Sequence, residues 1–221
     1  MKIKLIKKFV IDIMLNPLSF FELKKWYYYY KLKDQNTPLD HKIPWMTFGA
    51  IKYLNKYLNK EMNVFEYGSG GSTLFFSDKA NHIISIEHDK DWYNYELEQL
   101  SKLNNLNLNL IIPETEGTLI NYQKNYSNMY FDNYVNSIDI YDEKFDLIVV
   151  DGRQRNDCFK KALSKVKNGG IIVFDNFDRE YYQKSLDDDA VNNFDILNFR
   201  GFVPFGTMQS LTTIFIKKLD I

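Results

Sequence analysis

The sequence has only one cysteine, Cys158, among its 221 residues. An intramolecular disulfide is therefore excluded, and the Cys and His residues do not have the spacing of a zinc site. Long apolar runs are missing as well, since no stretch approaches the roughly 20 residues that a helix needs to cross a bilayer. These absences predict a soluble protein of a reducing compartment, which we expect to be the cytoplasm.

An excess of charge is also absent, because 28 basic residues oppose 29 acidic ones and the formal net charge is -1. The broad positive field with which dedicated nucleic-acid-binding proteins attract phosphate is missing, so we expect no nucleic-acid partner. Hydrophobic residues make up 45% of the chain. That proportion is typical of a globular protein, and this length suffices for a domain with a substantial core.

Residues 1–40 differ from the rest in being rich in lysine and aromatic residues. The apolar run at 9–15 is short, contains Asp12 and lacks a small-residue cleavage site, so we expect no secretion signal. We predict two short helices with a break near Pro17, forming an N-terminal helical extension before a domain at 41–221. Two roles stay open for the extension: packing on the domain, or contact with a membrane surface or a glycan.

From residue 63 onward, short apolar runs alternate with longer amphipathic segments, a pattern that predicts βα units and a mainly parallel sheet. The predicted strands are 64–67, 83–86, 106–112, 145–150 and 171–174, and the predicted helices are 48–58, 72–79, 89–103 and 156–166. Two further apolar runs, 194–199 and 210–217, are too close together for a helix to connect them. They predict an antiparallel hairpin at the end of the sheet.

The first predicted strand leads into the glycine-rich turn Gly68-Ser69-Gly70-Gly71 and then into a helix. Glycine is needed where the backbone turns sharply and where a ligand approaches the main chain. Ser72 or Thr73 can cap the helix that follows, whose N–H groups face the same crevice. The second strand ends at Glu87, and a carboxylate about 20 residues beyond such a turn binds ribose hydroxyls in nucleotide-binding sheets.

These segments together have the motifs of a known family. The sequence shows Glu66-Tyr67-Gly68-Ser69-Gly70, then Glu87, then Asp151-Gly152 after an apolar strand, then Asp175-Asn176 after another. In this order, over about residues 60 to 217, the chain resembles a class I S-adenosylmethionine-dependent methyltransferase. The resemblance implies an α/β fold: a Rossmann-like, mainly parallel seven-stranded sheet with helices on both faces and a C-terminal antiparallel hairpin. A dinucleotide dehydrogenase, the nearest competitor, lacks that hairpin.

The resemblance also implies the cofactor, S-adenosylmethionine. Glu66, Gly68 and Gly70 would line its methionine part, and Glu87 would hold its ribose. The full set of candidate cofactor residues is Glu66, Gly68, Ser69, Gly70, Ser72, Thr73, Glu87, His88 and Asp151. Glu114 or Glu116 is a candidate for the adenine contact, although the segment around them departs from the usual form of the family.

At the acceptor side, Asp151, Asp175 and Asn176 follow two neighbouring strands and should converge at one edge of the sheet. In metal-dependent catechol-type O-methyltransferases, which this arrangement resembles, a similar trio binds magnesium. Hard oxygen ligands suit Mg²⁺, which would lower the pKa of an acceptor hydroxyl. The alternative is that these side chains bind backbone N–H groups and no metal.

Other candidates for the acceptor side are Arg153, Arg155 and His41. Two of the four arginines of the chain follow Asp151, so they could bind an acidic or sugar acceptor or pair with the nearby aspartates. His41 could act as a general base or be structural. The aromatic-rich segment 121–139 could be a substrate loop or could pack on the domain. The candidate catalytic residues are Asp151, Arg153, Asp175 and His41.

The function that these observations favour is O-methylation of a small polar molecule or of a sugar unit in a glycan. The partner is then a small-molecule or saccharide acceptor, with magnesium as an open addition. Two alternatives remain: an N- or protein-side-chain methyltransferase without metal, and a non-catalytic scaffold that keeps the cofactor fold.

Overall fold

The computed structural model describes residues 9–14, 16–119, 126, 128–183 and 188–219. Seven strands form one sheet: β1 (Asn63–Tyr67), β2 (His82–Glu87), β3 (Leu106–Leu110), β4 (Phe145–Val150), β5 (Val166–Phe174), β6 (Phe194–Phe202) and β7 (Gln209–Lys217). Their spatial order is β3-β2-β1-β4-β5-β7-β6. The first five strands pair in parallel, and β7 pairs antiparallel with both β5 and β6. The predicted α/β sheet with its C-terminal hairpin is confirmed.

Helices cover both faces of this sheet. They are α1 (Leu23–Leu32), α2 (Phe48–Tyr57), α3 (Gly71–Ser77), α4 (Lys90–Leu100), α5 (Asp132–Asn136), α6 (Arg155–Lys165), α7 (Glu180–Gln183) and α8 (Asp188–Val191). The four helices predicted within residues 48–166 are found, with ends shifted by at most three residues. Such shifts are expected because helix ends fray.

The central strands β1, β2 and β4 are buried on both faces, and the alternation of their side chains divides the core in two. On one face, the fully or nearly fully buried side chains include Phe65, Tyr67, Ile148 and Phe174. The other face is built from the intervening positions and from α2, and it includes Val64, Leu147, Val149, Ile171 and Leu54. Strand β4 is a nearly continuous apolar run because side chains of the core pack against both of its faces.

Strand β5 begins five residues before its predicted start. Gly169 has a φ of +76°, and the pairing with β4 shifts register between Phe145 and Leu147. A glycine in this conformation permits a bulge, so the strand continues through a stretch that resembles a turn in sequence.

The register of the parallel strands brings the candidate residues to one edge. Tyr67 pairs with Ile86 and with Val150, and Val150 pairs with Phe174. The residues that follow Tyr67, Ile86, Val150 and Phe174 therefore lie side by side at the carboxyl ends of their strands. Ligands bind open α/β sheets at this edge, beyond the carboxyl ends of the strands.

The N-terminal extension is helical at residues 9–14, forms a 3₁₀ helix at Pro17–Glu22 and continues into α1. Pro17 begins a helix here, because the first turn of a helix does not need the missing N–H. Polar contacts attach the extension to the edge strand β6 and the connection after it: Glu22 Oε2 accepts from Phe202 N (3.0 Å), and Trp26 Nε1 donates to Gly206 O (2.9 Å). No helix within the described residues is long and apolar enough to span a membrane.

Candidate functional site

The glycine-rich turn lies between β1 and α3 and contacts the end of β4. Gly68 has a φ of +93°, and a Cβ atom placed on it would lie 3.1 Å from the backbone N of Gly152. Gly152 is equally restricted, because a Cβ there would overlap the hydroxyl of Tyr134. Both glycines are therefore required for the two turns to approach each other.

Glu66 lies behind this turn and is fully buried. Its carboxyl group interacts with three hydroxyls: that of Ser72, that of Thr73 (2.6 Å) and that of Ser85 (2.9 Å). Burial raises the pKa of Glu66 to about 7, although the three hydroxyls act in the opposite direction. In this structure Glu66 thus fixes the base of the turn from behind and does not line a crevice.

Glu87 ends β2 and connects it to the turn. Its Oε2 accepts from Ser69 N (3.1 Å), and its Oε1 accepts from the backbone N–H groups of His88 and Asp89 (both 2.7 Å). Burial acts to raise the pKa of Glu87, but the neighbouring His88 and these hydrogen bonds hold it below its usual value. Glu87 is therefore an ionised carboxylate beside the glycine turn.

A third carboxyl group, Glu96 of α4, meets the same turn and was missed in the sequence analysis. Its side chain is fully buried and its Oε1 contacts the hydroxyl of Ser69, which also lies 3.3 Å from Glu87 Oε2. Burial, with the charges of Glu87 and Glu66, raises the pKa of Glu96 to about 8. The single hydroxyl proton of Ser69 cannot be donated to two carboxylates at once. A protonated Glu96 that donates to Ser69 Oγ, while Ser69 donates to Glu87, explains both contacts of this hydroxyl.

The ends of β4 and β5 are held together by one guanidinium group. Arg155 NH2 lies 2.8 Å from Asp151 Oδ1 and donates to Asp151 O (2.7 Å), while NH1 donates to Asp175 O (2.6 Å). Asp175 is buried, and its Oδ1 accepts from the hydroxyl of Thr212 (2.6 Å). Burial raises the pKa of Asp175, with the charge of Asp151 acting in the same direction.

This arrangement does not fit the magnesium alternative for Asp151, Asp175 and Asn176. Asn176 Nδ2 donates to Asp175 Oδ2 (2.7 Å), Asn176 Oδ1 accepts from Arg179 NH2 (2.7 Å), and Asp151 Oδ1 lies 2.8 Å from Arg155 NH2. Among the described residues, no group of three or more His, Cys, Asp or Glu could hold a metal ion. The cation between the strand ends is a side chain of the protein itself.

His88 and Arg153, both candidates from the sequence, form a cluster with Tyr126 on the Glu87 side of the edge. Arg153 Nε donates to His88 Nε2 (3.2 Å), and the guanidinium of Arg153 lies 4.7 Å from the centroid of the Tyr126 ring. His88 Nδ1 lies 2.8 Å from Glu87 Oε1 without the alignment of a hydrogen bond. This cluster covers Glu87, which is only 3% exposed.

His41 does not lie beside the candidate carboxylates Glu87, Asp151 and Asp175. Its contacts within the described part of the chain are with aromatic rings, with centroid distances of 5.6 Å to Tyr29 and 5.4 Å to Phe205. The structure thus places His41 between α1 and the β6–β7 connection. A base at this position would not face the strand ends.

The aromatic segment 121–139 is only partly described, and Tyr122 lies outside the described residues. Phe131 and Tyr134 are fully buried in the core, so this part packs on the domain. Glu114 Oε1 accepts from Asn133 N (2.7 Å), which fixes the start of α5. Glu116 is exposed.

No protein-family model matches the chain, and no curated protein matches it by sequence. Its structure is similar to that of a predicted methyltransferase of Streptococcus mutans solved with S-adenosylhomocysteine (16% identity, TM-score 0.50, covering 75% of this chain and 94% of that one). A Streptococcus thermophilus rRNA methylase has a TM-score of 0.51 at 16% identity, covering 76% and 93% of the two chains. A Silicibacter pomeroyi methyltransferase-like protein also has a TM-score of 0.51 at 16% identity, covering 77% and 86%.

The strand order, the antiparallel last strand and these similarities all indicate the same fold. The chain has the fold of the class I S-adenosylmethionine-dependent methyltransferases.

Proposed function

We propose that this protein is an S-adenosylmethionine-dependent methyltransferase that methylates a hydroxyl of a small polar molecule or of a sugar unit in a glycan. The observation that carries the cofactor assignment is the 3.1 Å hydrogen bond between Ser69 N and Glu87, which joins the glycine turn to the carboxylate of the next strand. Sheets of this kind bind a nucleotide at this junction. The similar fold of the Streptococcus mutans protein, which was solved with S-adenosylhomocysteine, supports the same assignment.

The residues at the junction fit the adenosyl part of the cofactor. Gly68 and Gly70 have positive φ and carry no side chain, which permits close approach of a ligand to the main chain at these two positions. Glu87 is ionised, and a ribose hydroxyl would replace the hydroxyl of Ser69, which lies 3.3 Å from Oε2, once His88 and Arg153 move aside. When bound, the cofactor supplies a methyl group activated by the sulfonium.

Replacement of Glu87 by Gln is expected to weaken binding of S-adenosylmethionine by about 10- to 100-fold, because a charged acceptor for the ribose hydroxyls is lost. Isothermal titration calorimetry measures this change. Glu98→Gln is the matched control, since Glu98 lies on the exposed side of α4. Equal affinity in Glu87→Gln and the parent, with both folded by circular dichroism, would show that the ribose assignment is wrong.

Asp151 is the residue that we propose to contact the acceptor hydroxyl. Its side chain is 23% exposed, whereas that of Asp175 is 2% exposed and bonded to Thr212. Methyl transfer is an in-line displacement, so alignment of the hydroxyl and acceptance of its proton are the tasks left to the protein. Arg155 orients the Asp151 carboxylate for both tasks.

The saccharide preference is supported by Arg153 and Tyr126. A guanidinium over an aromatic ring offers hydrogen-bond donors beside an apolar face, a combination that suits a sugar. An assay with sugars, nucleotide-sugars and catechols, followed by detection of the methylated product, tests the proposal. If only amines or protein side chains are methylated, the proposal of O-methylation is replaced by N- or protein-side-chain methylation. If the protein binds the cofactor but methylates no acceptor, a non-catalytic scaffold is favoured.

Methyl transfer is expected to proceed without a divalent metal, because the Arg155 guanidinium lies between the residues that magnesium would need. We expect the rate in excess EDTA to equal the rate with added Mg²⁺. A loss of activity in EDTA that Mg²⁺ restores would instead assign Asp151, Asp175 and Asn176 to a metal site.

A further inference from the structure

Large exposed apolar side chains are concentrated in the first part of the N-terminal extension. Val10, Ile11, Met14, Leu18, Phe20 and Phe21 are all exposed, Phe21 by 82% and Leu18 by 75%. We call these six side chains the outer surface. Single exposed apolar side chains are ordinary, but six within twelve residues mark an interaction site.

The opposite side of the same segment is already occupied. Phe9 and Trp26 pack against Phe202, with ring centroids 5.5 and 5.0 Å apart, and Asn16 Nδ2 donates to Arg200 O (2.6 Å). The extension is thus fixed on the domain by one side. The side chains of the outer surface do not take part in this packing and face away from the core.

Charge is distributed unevenly between the extension and the rest of the chain. Residues 1–33 contain eight lysines and two acidic residues, a formal charge of +6. Since the whole chain carries -1, the remaining residues carry -7. A positive, apolar segment on an otherwise negative protein is complementary to a surface that is both anionic and apolar.

A groove beside the outer surface has the same dual character. It has a volume of about 570 Å³, and its apolar lining includes Leu18, Phe21 and Phe48. Lys25 and Lys52 also line it, and Lys25 Nζ lies 4.5 Å from the centroid of the Phe48 ring. Aliphatic and aromatic walls with ammonium groups suit an acyl chain below a phosphate headgroup.

We propose that the outer surface binds the interface of an anionic phospholipid bilayer, with Leu18, Phe20 and Phe21 inserted and Lys25 and Lys52 at the headgroups. A second copy of the chain is disfavoured as the occupant, because two segments of charge +6 would repel each other. A glycan is disfavoured because the exposed side chains include Val10, Ile11 and Met14, which offer neither hydrogen bonds nor a planar ring.

The proposal stands independently of the methyl-transfer assignment, but the extension and the candidate site both contact the β6–β7 hairpin. Trp26 of the extension donates to Gly206 O in the β6–β7 connection. Strand β7 leaves that connection and reaches the candidate site through Thr212, which binds Asp175. A bilayer bound at the outer surface would therefore lie near the edge of the sheet that carries Asp151.

Sedimentation of the full chain with vesicles tests the proposal. We expect binding to phosphatidylcholine vesicles that contain about 30% phosphatidylglycerol, little binding to phosphatidylcholine alone, and weaker binding at high salt, which screens the lysines. The Phe20→Ser/Phe21→Ser double variant is expected to bind the anionic vesicles at least about tenfold more weakly. Ile140→Ser is the matched control, because Ile140 is 73% exposed but lies outside the extension.

Three results would overturn the proposal. One is the absence of binding to anionic vesicles by the parent protein. Another is equal binding by the parent and the Phe20→Ser/Phe21→Ser variant. The third is a concentration-dependent dimer in analytical ultracentrifugation, abolished in the double variant, for a parent protein that does not bind vesicles. That result would assign the outer surface to self-association. Thermal unfolding of each variant establishes that both remain folded.

Discussion

Replacement of Arg155 by Met is expected to lower the free energy of unfolding by about 3–5 kcal/mol, a large part of the total of about 5–15 kcal/mol for a typical domain. The guanidinium is buried and binds Asp151 together with backbone oxygens at the ends of β4 and β5. Met fills a similar volume but leaves the carboxylate and these oxygens without their donor. Urea denaturation followed by circular dichroism measures the change.

Two further variants make this experiment specific. Arg200→Met is the control, since Arg200 is exposed, and we expect a change within about 0.5 kcal/mol. Asp151→Asn added to Arg155→Met should recover part of the lost stability, because the uncompensated charge is removed. A value for Arg155→Met as small as that of the control would show that the guanidinium does not hold the strand ends together.

The role of Arg155 could not be predicted from the sequence. Its two possible roles, acceptor recognition or pairing with the aspartates, could not be separated by spacing alone. The structure decides for pairing, because α6 begins at Arg155 and its side chain points back to the strand end at Asp151, four residues earlier. Arg153, two residues away, points instead to His88.

The fold was predictable because its signals are local. Apolar runs of strand length, amphipathic helices and the short link between β6 and β7 each limit the topology without knowledge of distant contacts. The start of β5 was not predictable in this way, because it depends on a bulge opposite Phe145 that Gly169 permits. The break predicted near Pro17 is found, because residues 9–14 are helical, Asn16 is not, and Pro17 starts the next helix.

The candidate site was predictable where it follows from the ends of strands. Gly68, Glu87, Asp151 and Asp175 reach one edge as expected, because parallel strands in register end together. The state of each group depends on burial and partners, which sequence does not give. Glu66 therefore proved to be enclosed by hydroxyls.

Glu96 could have been found from helix spacing. Trp92, Glu96 and Leu100 are four residues apart and lie on one face of α4, and Leu100 is almost fully buried. A glutamate between two large apolar residues on such a stripe predicts a buried carboxyl group. That group lies against the glycine turn, where it affects the dependence of stability on pH.

The pH dependence of stability is the second large effect that we expect. The pKa values of Glu66, about 7, and Glu96, about 8, lie above the value of 4.5 expected in the unfolded chain. Between these values the folded protein holds protons that the unfolded chain has released, so the free energy of unfolding falls as pH rises from about 4.5 to about 8. The pKa of Glu87 is lowered, and its contribution is lost only at more acidic pH, outside this window.

The expected loss across this window is about 3 kcal/mol for Glu66 and about 5 kcal/mol for Glu96, because each unit of pKa difference corresponds to about 1.4 kcal/mol. Urea denaturation at pH 5, 6, 7 and 8 measures it. Glu96→Gln keeps the shape of the side chain but cannot ionise, so its stability should vary less with pH than that of the parent. Glu98→Gln, on the exposed face of the same helix, should retain the full variation. Identical pH profiles for the parent and Glu96→Gln would mean that Glu96 is not the buried, protonated group beside the glycine turn.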